Sequence, residues 1–205
     1  MTARAQPGRI RRALRGNPLN LIALGLLGLI CVIAVLGPSL VPHDPLATDT
    51  AVALQPPSAQ HWFGTDQLGR DLFSRVVVAT RLDLLIALGA VALSMVAGSV
   101  LGAIIGYWGG VLDAVVSRLV DVLMAFPLFV LAMALVAALG NSVINVVYAT
   151  AIVNLPFYIR LARSEVRPRR ALGYVEAARA GGSGDWRILL YHLIPNIGAP
   201  LVIQA

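Results

Sequence analysis

Few residues in this sequence could do chemistry, and their spacing limits what that chemistry could be. His61, Asp66 and Asp71 fall within one short polar stretch, and imidazole with carboxylate is a metal-ligand set. Their separations fit no compact ligand pattern, so helix capping and surface charge account for them, and no metal site is expected. The remaining histidines, His43 and His192, are distant in sequence. No nucleophile stands beside a base, so no enzyme activity and no cofactor are expected. All sixteen basic residues are arginine. A phosphate-binding loop of the G-x-x-x-x-G-K-[ST] type needs lysine on the β- and γ-phosphates. Any nucleotide energy must therefore come from another chain. Cys31 is the single cysteine, so no disulfide forms within the chain.

The stretch Tyr174–Asn196 has a different kind of potential. Tyr174, Ala177, Ala178 and Gly181 recur at helical spacing and leave a face nearly bare of side chains. Gly181, Gly182 and Gly184 break that helix. Ser183 or Asp185 is expected to cap a second short helix, Trp186–Leu193, and Pro195 to end the motif. A helix–turn–helix with a small-residue face is suited to docking.

The elements around it are apolar. The chain is 58% hydrophobic and 13% charged, against about 25% charged in ordinary soluble domains. The net charge of +6 comes from arginines beside apolar runs, where membrane orientation explains them better than nucleic acid does. The expected fold is all-α: a polytopic membrane helix bundle with four complete spans, the start of a fifth and a cytoplasmic docking loop. Residues 1–18 form an arginine-rich tail carrying Arg4, Arg9, Arg11, Arg12 and Arg15, and 19–41 form the first span. That span is too long for the h-region of a cleaved signal peptide. Residues 42–83 form an outer segment, proline-dotted and extended over 42–60. Asp66 is read there as the cap of a short helix from Gln67 that presents Leu68, Leu72 and Val76. Arg70, Asp71 and Arg75 are expected to pair locally.

Residues 84–205 read as the membrane core. Its spans are expected at about 84–107, 122–139 and 143–159, with a cytoplasmic loop at 160–196 and the next span beginning at 197–205. Within the 84–107 span a small residue recurs every fourth position: Ala90, Ser94, Gly98, Gly102 and Gly106, continuing to Gly110. Such a stripe lets a second helix pack backbone to backbone. Arg118 and Asp121 are spaced to pair on one helix face. The uncharged run 122–159 is too long for one crossing, and Gly140-Asn141-Ser142 marks a turn within it. Pro127 and Pro156 are positions for kinks. The arginine-rich tail puts the N-terminus in the cytoplasm, and counting crossings puts 160–196 on the same side.

At this point the residues resemble a known family. Glu176-Ala177-Ala178, then Gly182, then Pro195 stand at the spacing of the E-A-A signature of binding-protein-dependent ABC importer permeases. The ending His192-Leu193-Ile194-Pro195-Asn196 looks like the dipeptide/oligopeptide/nickel class. So do Asn17-Pro18-Leu19, Phe63–Asp71 (FGTDQLGRD), and Arg118–Asp121 with Phe126-Pro127. The resemblance implies an inner-membrane permease subunit for peptides or related solutes, nickel included, in a prokaryote. Its partners would be a homologous second permease subunit, cytoplasmic ATP-binding subunits, an extracytoplasmic solute-binding protein and the lipid bilayer, with no nucleic acid. Tyr174, Glu176, Ala177, Ala178, Gly182, Asp185, His192, Pro195 and Asn196 would meet the ATPase subunit. Family members have about six spans, so four spans read as a truncated chain. Asp83 stands where the family has an uncharged polar residue. An ion-coupled secondary transporter is disfavoured because the span centres lack ionisable groups, and a non-transporting membrane scaffold is the other alternative.

Overall fold

A computed structural model describes residues 18–205. The arginines of the tail, and Asn17 with them, lie outside the described residues. Among those described, the secondary structure is helical and contains no strand. The helices are α1 (Pro18–Leu40), α2 (Leu72–Trp108), α3 (Gly110–Ala125), α4 (Leu128–Leu139), α5 (Val143–Arg169), α6 (Gly173–Ala180), α7 (Asp185–Ile188) and α8 (Gly198–Gln204). Helices α1, α2 and α5 are each long and apolar enough to cross a membrane, as is the stretch Asp185–Gln204 taken as one. Helices α3 and α4 together add a fifth candidate, bent by 98°. The fold is thus an all-α polytopic membrane helix bundle. The chain divides into two compact units, one ending at Leu85 and the other beginning at Ile86.

In the first unit, α1 exposes leucines along most of its length and buries Ala34 and Gly37. A Cβ at Gly37 would lie 2.5 Å from Val77 Cγ1, so only glycine allows this approach to α2. The segment between these helices is a folded loop, not the extended one the prolines suggest. Thr65 is its hub. Its N–H donates to the Gln55 carbonyl (3.1 Å) and its hydroxyl accepts from the Gln55 N–H (2.9 Å). The same hydroxyl donates to the Val52 carbonyl. Gly64 and Gly69 have φ of +76° and +73°, and a Cβ on either would run into the backbone of Gln55 or Asp49.

The expected helix from Gln67 does not form, and Asp66 does not cap one. Asp66 instead closes a turn, accepting from the N–H groups of Leu68 (2.8 Å) and Arg70 (3.0 Å) and from Arg70 Nε (2.8 Å). Asp71 is the cap of α2: its Oδ2 accepts from Ser74 N–H at 2.8 Å, the N-cap geometry. The local ion pairs are rearranged accordingly. Arg70 and Arg75 both face Asp66, while Asp71 takes His61.

Helix α2 has 37 residues, about 55 Å at 1.5 Å per residue, so it outruns a ~30 Å hydrocarbon core. In the second unit its small-residue face lies against α5. Ala90 and Ser94 are buried. A Cβ at Gly98 would lie 2.6 Å from Tyr158 Cβ. One at Gly102 would strike the Ile159 carbonyl, and one at Gly106 would lie 2.9 Å from the Arg163 carbonyl. Gly110 stands apart from this contact. The chain turns at Gly109, Gly110 has φ +67° with open space around it, and α3 starts there. Its role is conformational, not packing.

A single helix over 122–139 is not what forms. Phe126 is extended (φ −81°, ψ 140°), as the residue before a proline prefers, and Pro127 restarts the helix as α4. Asp121 pairs with Arg160 of α5 at 2.6 Å instead of using Arg118. Asp113 of α3 receives Arg163 of α5 through both Nε and Nη2. The turn at Gly140-Asn141-Ser142 leads into α5, whose N-cap Ser142 accepts from Asn145 N–H. Helix α5 continues past Ile159 to Arg169, carrying Pro156 inside it.

A clamped helix–glycine turn–helix as the candidate docking site

The C-terminal stretch of the second unit is built on an apolar core. Val175 of α6, Ile188 of α7 and Leu189, Leu193 and Ile197 beyond it are buried with Val166 and Ala162 of α5. This core explains why so short a helix as α6 holds its shape: Val175 anchors it from below. Between α6 and α7 the chain makes a Schellman turn. Ser183 N–H donates to the Ala178 carbonyl (3.0 Å) and Gly182 N–H to that of Arg179 (3.0 Å). The motif needs a left-handed residue after the cap, and Gly182 supplies it with φ +81°. No neighbour lies within 4 Å of a Cβ built there, so the demand for glycine is purely conformational.

Neither Ser183 nor Asp185 caps the second helix. Gly184 is its N-cap, without a side-chain bond. Asp185 has another task. The Tyr107 hydroxyl, near the end of α2, donates to Asp185 Oδ1 at 2.5 Å and accepts from Arg179 Nη2 at 2.9 Å. Arg179 lies 3.7 Å from Asp185. The hydrogen bond that Arg179 donates to Tyr107 raises the Arg179 pKa above its ordinary value. Arg170 Nη1 donates to the Tyr107 carbonyl at 2.8 Å. Trp108 and Trp186 pack at a tilt, with ring centroids 4.8 Å apart and planes at 54°. The glycine turn is thereby tied to the end of α2 from both of its sides.

The residues singled out from sequence divide by orientation. Tyr174 (39% exposed), Glu176, Ala177 and Gly182 face outward, as do Pro195 and Asn196. Ala178 is half-buried against the core and is not part of the bare face. His192 is half-buried in a π-helical turn, and its carbonyl accepts from Asn196 Nδ2 at 2.7 Å. Pro195 does not end the helical stretch. It opens a 3-10 turn that leads directly into α8. Tyr107, Arg170 and Arg179 carry no signal of a shared site in the sequence, because nothing in the spacing links positions so far apart. The outward surface carries Tyr174, Glu176, Ala177 and Gly182 together with exposed Arg179, Asp185 and Trp186, and Pro195 and Asn196 are exposed further along the chain.

Comparison with known proteins fits this geometry. Residues 98–205 match the family described as "Binding-protein-dependent transport system inner membrane component". The match begins at the glycine face of α2 and includes the whole clamped turn. The chain belongs to this family. Residues 8–57 match a second family, the N-terminal transmembrane domain of oligopeptide transport permease C. A probable D,D-dipeptide transport system permease protein of Escherichia coli is 43% identical over 192 residues, covering 94% of this chain and 64% of that protein. A dipeptide transport system permease protein of Alkalihalophilus pseudofirmus is 41% identical over 194 residues, covering 95% and 64%. A di/tripeptide transport system permease protein of Pseudomonas aeruginosa is 40% identical over 189 residues, covering 88% and 62%. The chain thus spans somewhat under two thirds of the length of these relatives.

Proposed function

We propose that this chain is a membrane permease subunit of an ATP-driven importer for peptides or related small solutes. It forms part of the translocation pathway and has no ATPase site of its own. The clamped helix–glycine turn–helix carries the proposal. A small-residue surface at Ala177 and Gly182 admits a close-fitting partner. Glu176 and Tyr174 give that partner a charge and a ring to meet. The partner is a cytoplasmic ATP-binding subunit, and the Tyr107–Asp185–Arg179 clamp passes its movement to α2. A second, homologous permease subunit completes the pathway, and an extracytoplasmic solute-binding protein delivers the solute. The relatives' names favour short peptides; nickel complexes are the less supported cargo.

The chain sits in the inner membrane of a prokaryote with its N-terminus in the cytoplasm. With four crossings before it, Ser183 would lie on the cytoplasmic side as well. A cysteine at position 183, in a Cys31→Ser background, should react only with reagent applied from the cytoplasmic side. Reaction from the opposite side would overturn the topology. For the coupling role, the chain is co-expressed with a candidate ATP-binding subunit and purified. Association should be retained by the unaltered chain and lost when Ala177 is changed to Trp. Failure of the unaltered chain to bind, or binding indifferent to Ala177→Trp, would refute it.

A further inference from the structure

We propose that His43, His61 and Asp71 form a site for a divalent transition-metal cation of the zinc type. The three come from separate places in the first unit: His43 just after α1, His61 in the middle of the loop, and Asp71 at the start of α2. The fold brings one donor atom of each to within 4.8 Å of the others. The two imidazoles lie together, with centroids 4.9 Å apart. The separations of His61, Asp66 and Asp71 in sequence fit no ligand pattern, and Asp66 is indeed occupied by its own turn and by Arg70. His43 stands in its place.

The surrounding hydrogen bonds prepare the donors. His43 Nε2 lies 2.9 Å from the Gln60 carbonyl. A carbonyl only accepts, so this bond keeps the proton on Nε2 and leaves the lone pair on Nδ1. His61 Nδ1 lies 3.0 Å from Asp71 Oδ1. Two atoms at that separation can be neighbours around one cation with bonds of about 2.0–2.2 Å. The cation replaces the proton between them, and the neutral His61 ring then carries its proton on Nε2. Asp71 Oδ2 is held by the Ser74 N–H, which fixes the carboxylate. The Asp71 side chain is 2% exposed and that of His61 16%, while His43 is open to solvent. A cation would therefore enter past His43 and keep water on its remaining positions. Two imidazoles with one carboxylate select zinc-like ions over magnesium or calcium, which favour all-oxygen shells. Bound metal would fasten the end of α1, the loop and the start of α2 together.

The test uses the full, tag-free chain in detergent, in a Cys31→Ser background, titrated with Zn²⁺ alone by calorimetry. One Zn²⁺ per chain is expected. His43→Ala and His61→Ala should each weaken binding by more than the roughly 10–100-fold that loss of an outer-shell partner costs, while His192→Ala leaves it unchanged. His43 is exposed, so His43→Ala should keep the wild-type circular dichroism and stand as the decisive variant even if His61→Ala disturbs the loop. Absence of stoichiometric binding, or binding insensitive to His43→Ala, would overturn the site.

Discussion

The 41–71 loop and the 173–197 joint are both compact, but they are held by opposite means. The loop has little apolar interior. Backbone hydrogen bonds to Thr65, the carboxylates of Asp66 and Asp71, and two left-handed glycines fix its path. The joint has an apolar floor of Val175, Ile188, Leu189 and Leu193, and a single polar clamp above it. Its glycine sits in open space, whereas Gly64 and Gly69 are pressed against other backbone. The difference separates two uses of glycine. In the loop, glycine makes room for chain crossing chain. In the joint, it sets a bend in open space.

That contrast is open to direct attack. Gly69→Ala should be the most damaging change, because it adds both a steric collision and a disfavoured φ. A loss of about 4 kcal/mol, read as collapse of hydrogen-exchange protection over residues 49–71, is expected. Ile188→Ala should come next. It opens a cavity under the joint and should cost about 3 kcal/mol in denaturant unfolding, with exchange increased over 173–197. Gly182→Ala should cost only about 1–2 kcal/mol, since the strain is conformational and nothing is struck. If Gly182→Ala proved as harmful as Gly69→Ala, the distinction between the two glycines would be lost. Tyr107→Phe removes the hydroxyl of the clamp and should cost about 1 kcal/mol, with faster exchange confined to the glycine turn.

The smallest expected effect is on pH. Asp66 is slightly shielded from water, which pushes its pKa up, but the N–H groups of Arg70 and Leu68 and the Arg70 guanidinium outweigh this and hold it below 3.8. A carboxyl with a lowered folded-state pKa stabilises fully above its unfolded value and loses that contribution as pH falls through the folded one. Exchange at Leu68 and Arg70 should therefore rise only below about pH 4. A rise that begins well above about pH 4 would contradict this role for Asp66.

Much of this architecture was legible in the sequence. Charge-free runs gave the apolar helices, the fourfold recurrence from Ala90 to Gly106 gave the close face of α2, and Gly140-Asn141-Ser142 gave the turn before α5. Local pattern failed where distant chain intervened. Asp66 and Asp71 are both good caps by type, and which one caps is decided by backbone bonds to Asp49, Gln55 and Leu54, which spacing does not encode. Phe126-Pro127 was visible as a kink site, but its 98° bend was not. The 174–196 segment was readable as a helix, a glycine turn and a second helix. Its clamp was not, because Tyr107 lies 72 positions from Arg179 and 78 from Asp185.

The outward face of the joint is proposed to meet an ATP-binding subunit. A photo-cross-linking residue at Ala177, compared with one at Gln55 in the loop, tests it most directly in membranes containing the chain and its candidate ATP-binding subunit. An adduct with that subunit is expected from position 177 and none from position 55. An adduct from 55, or none from 177, would contradict it.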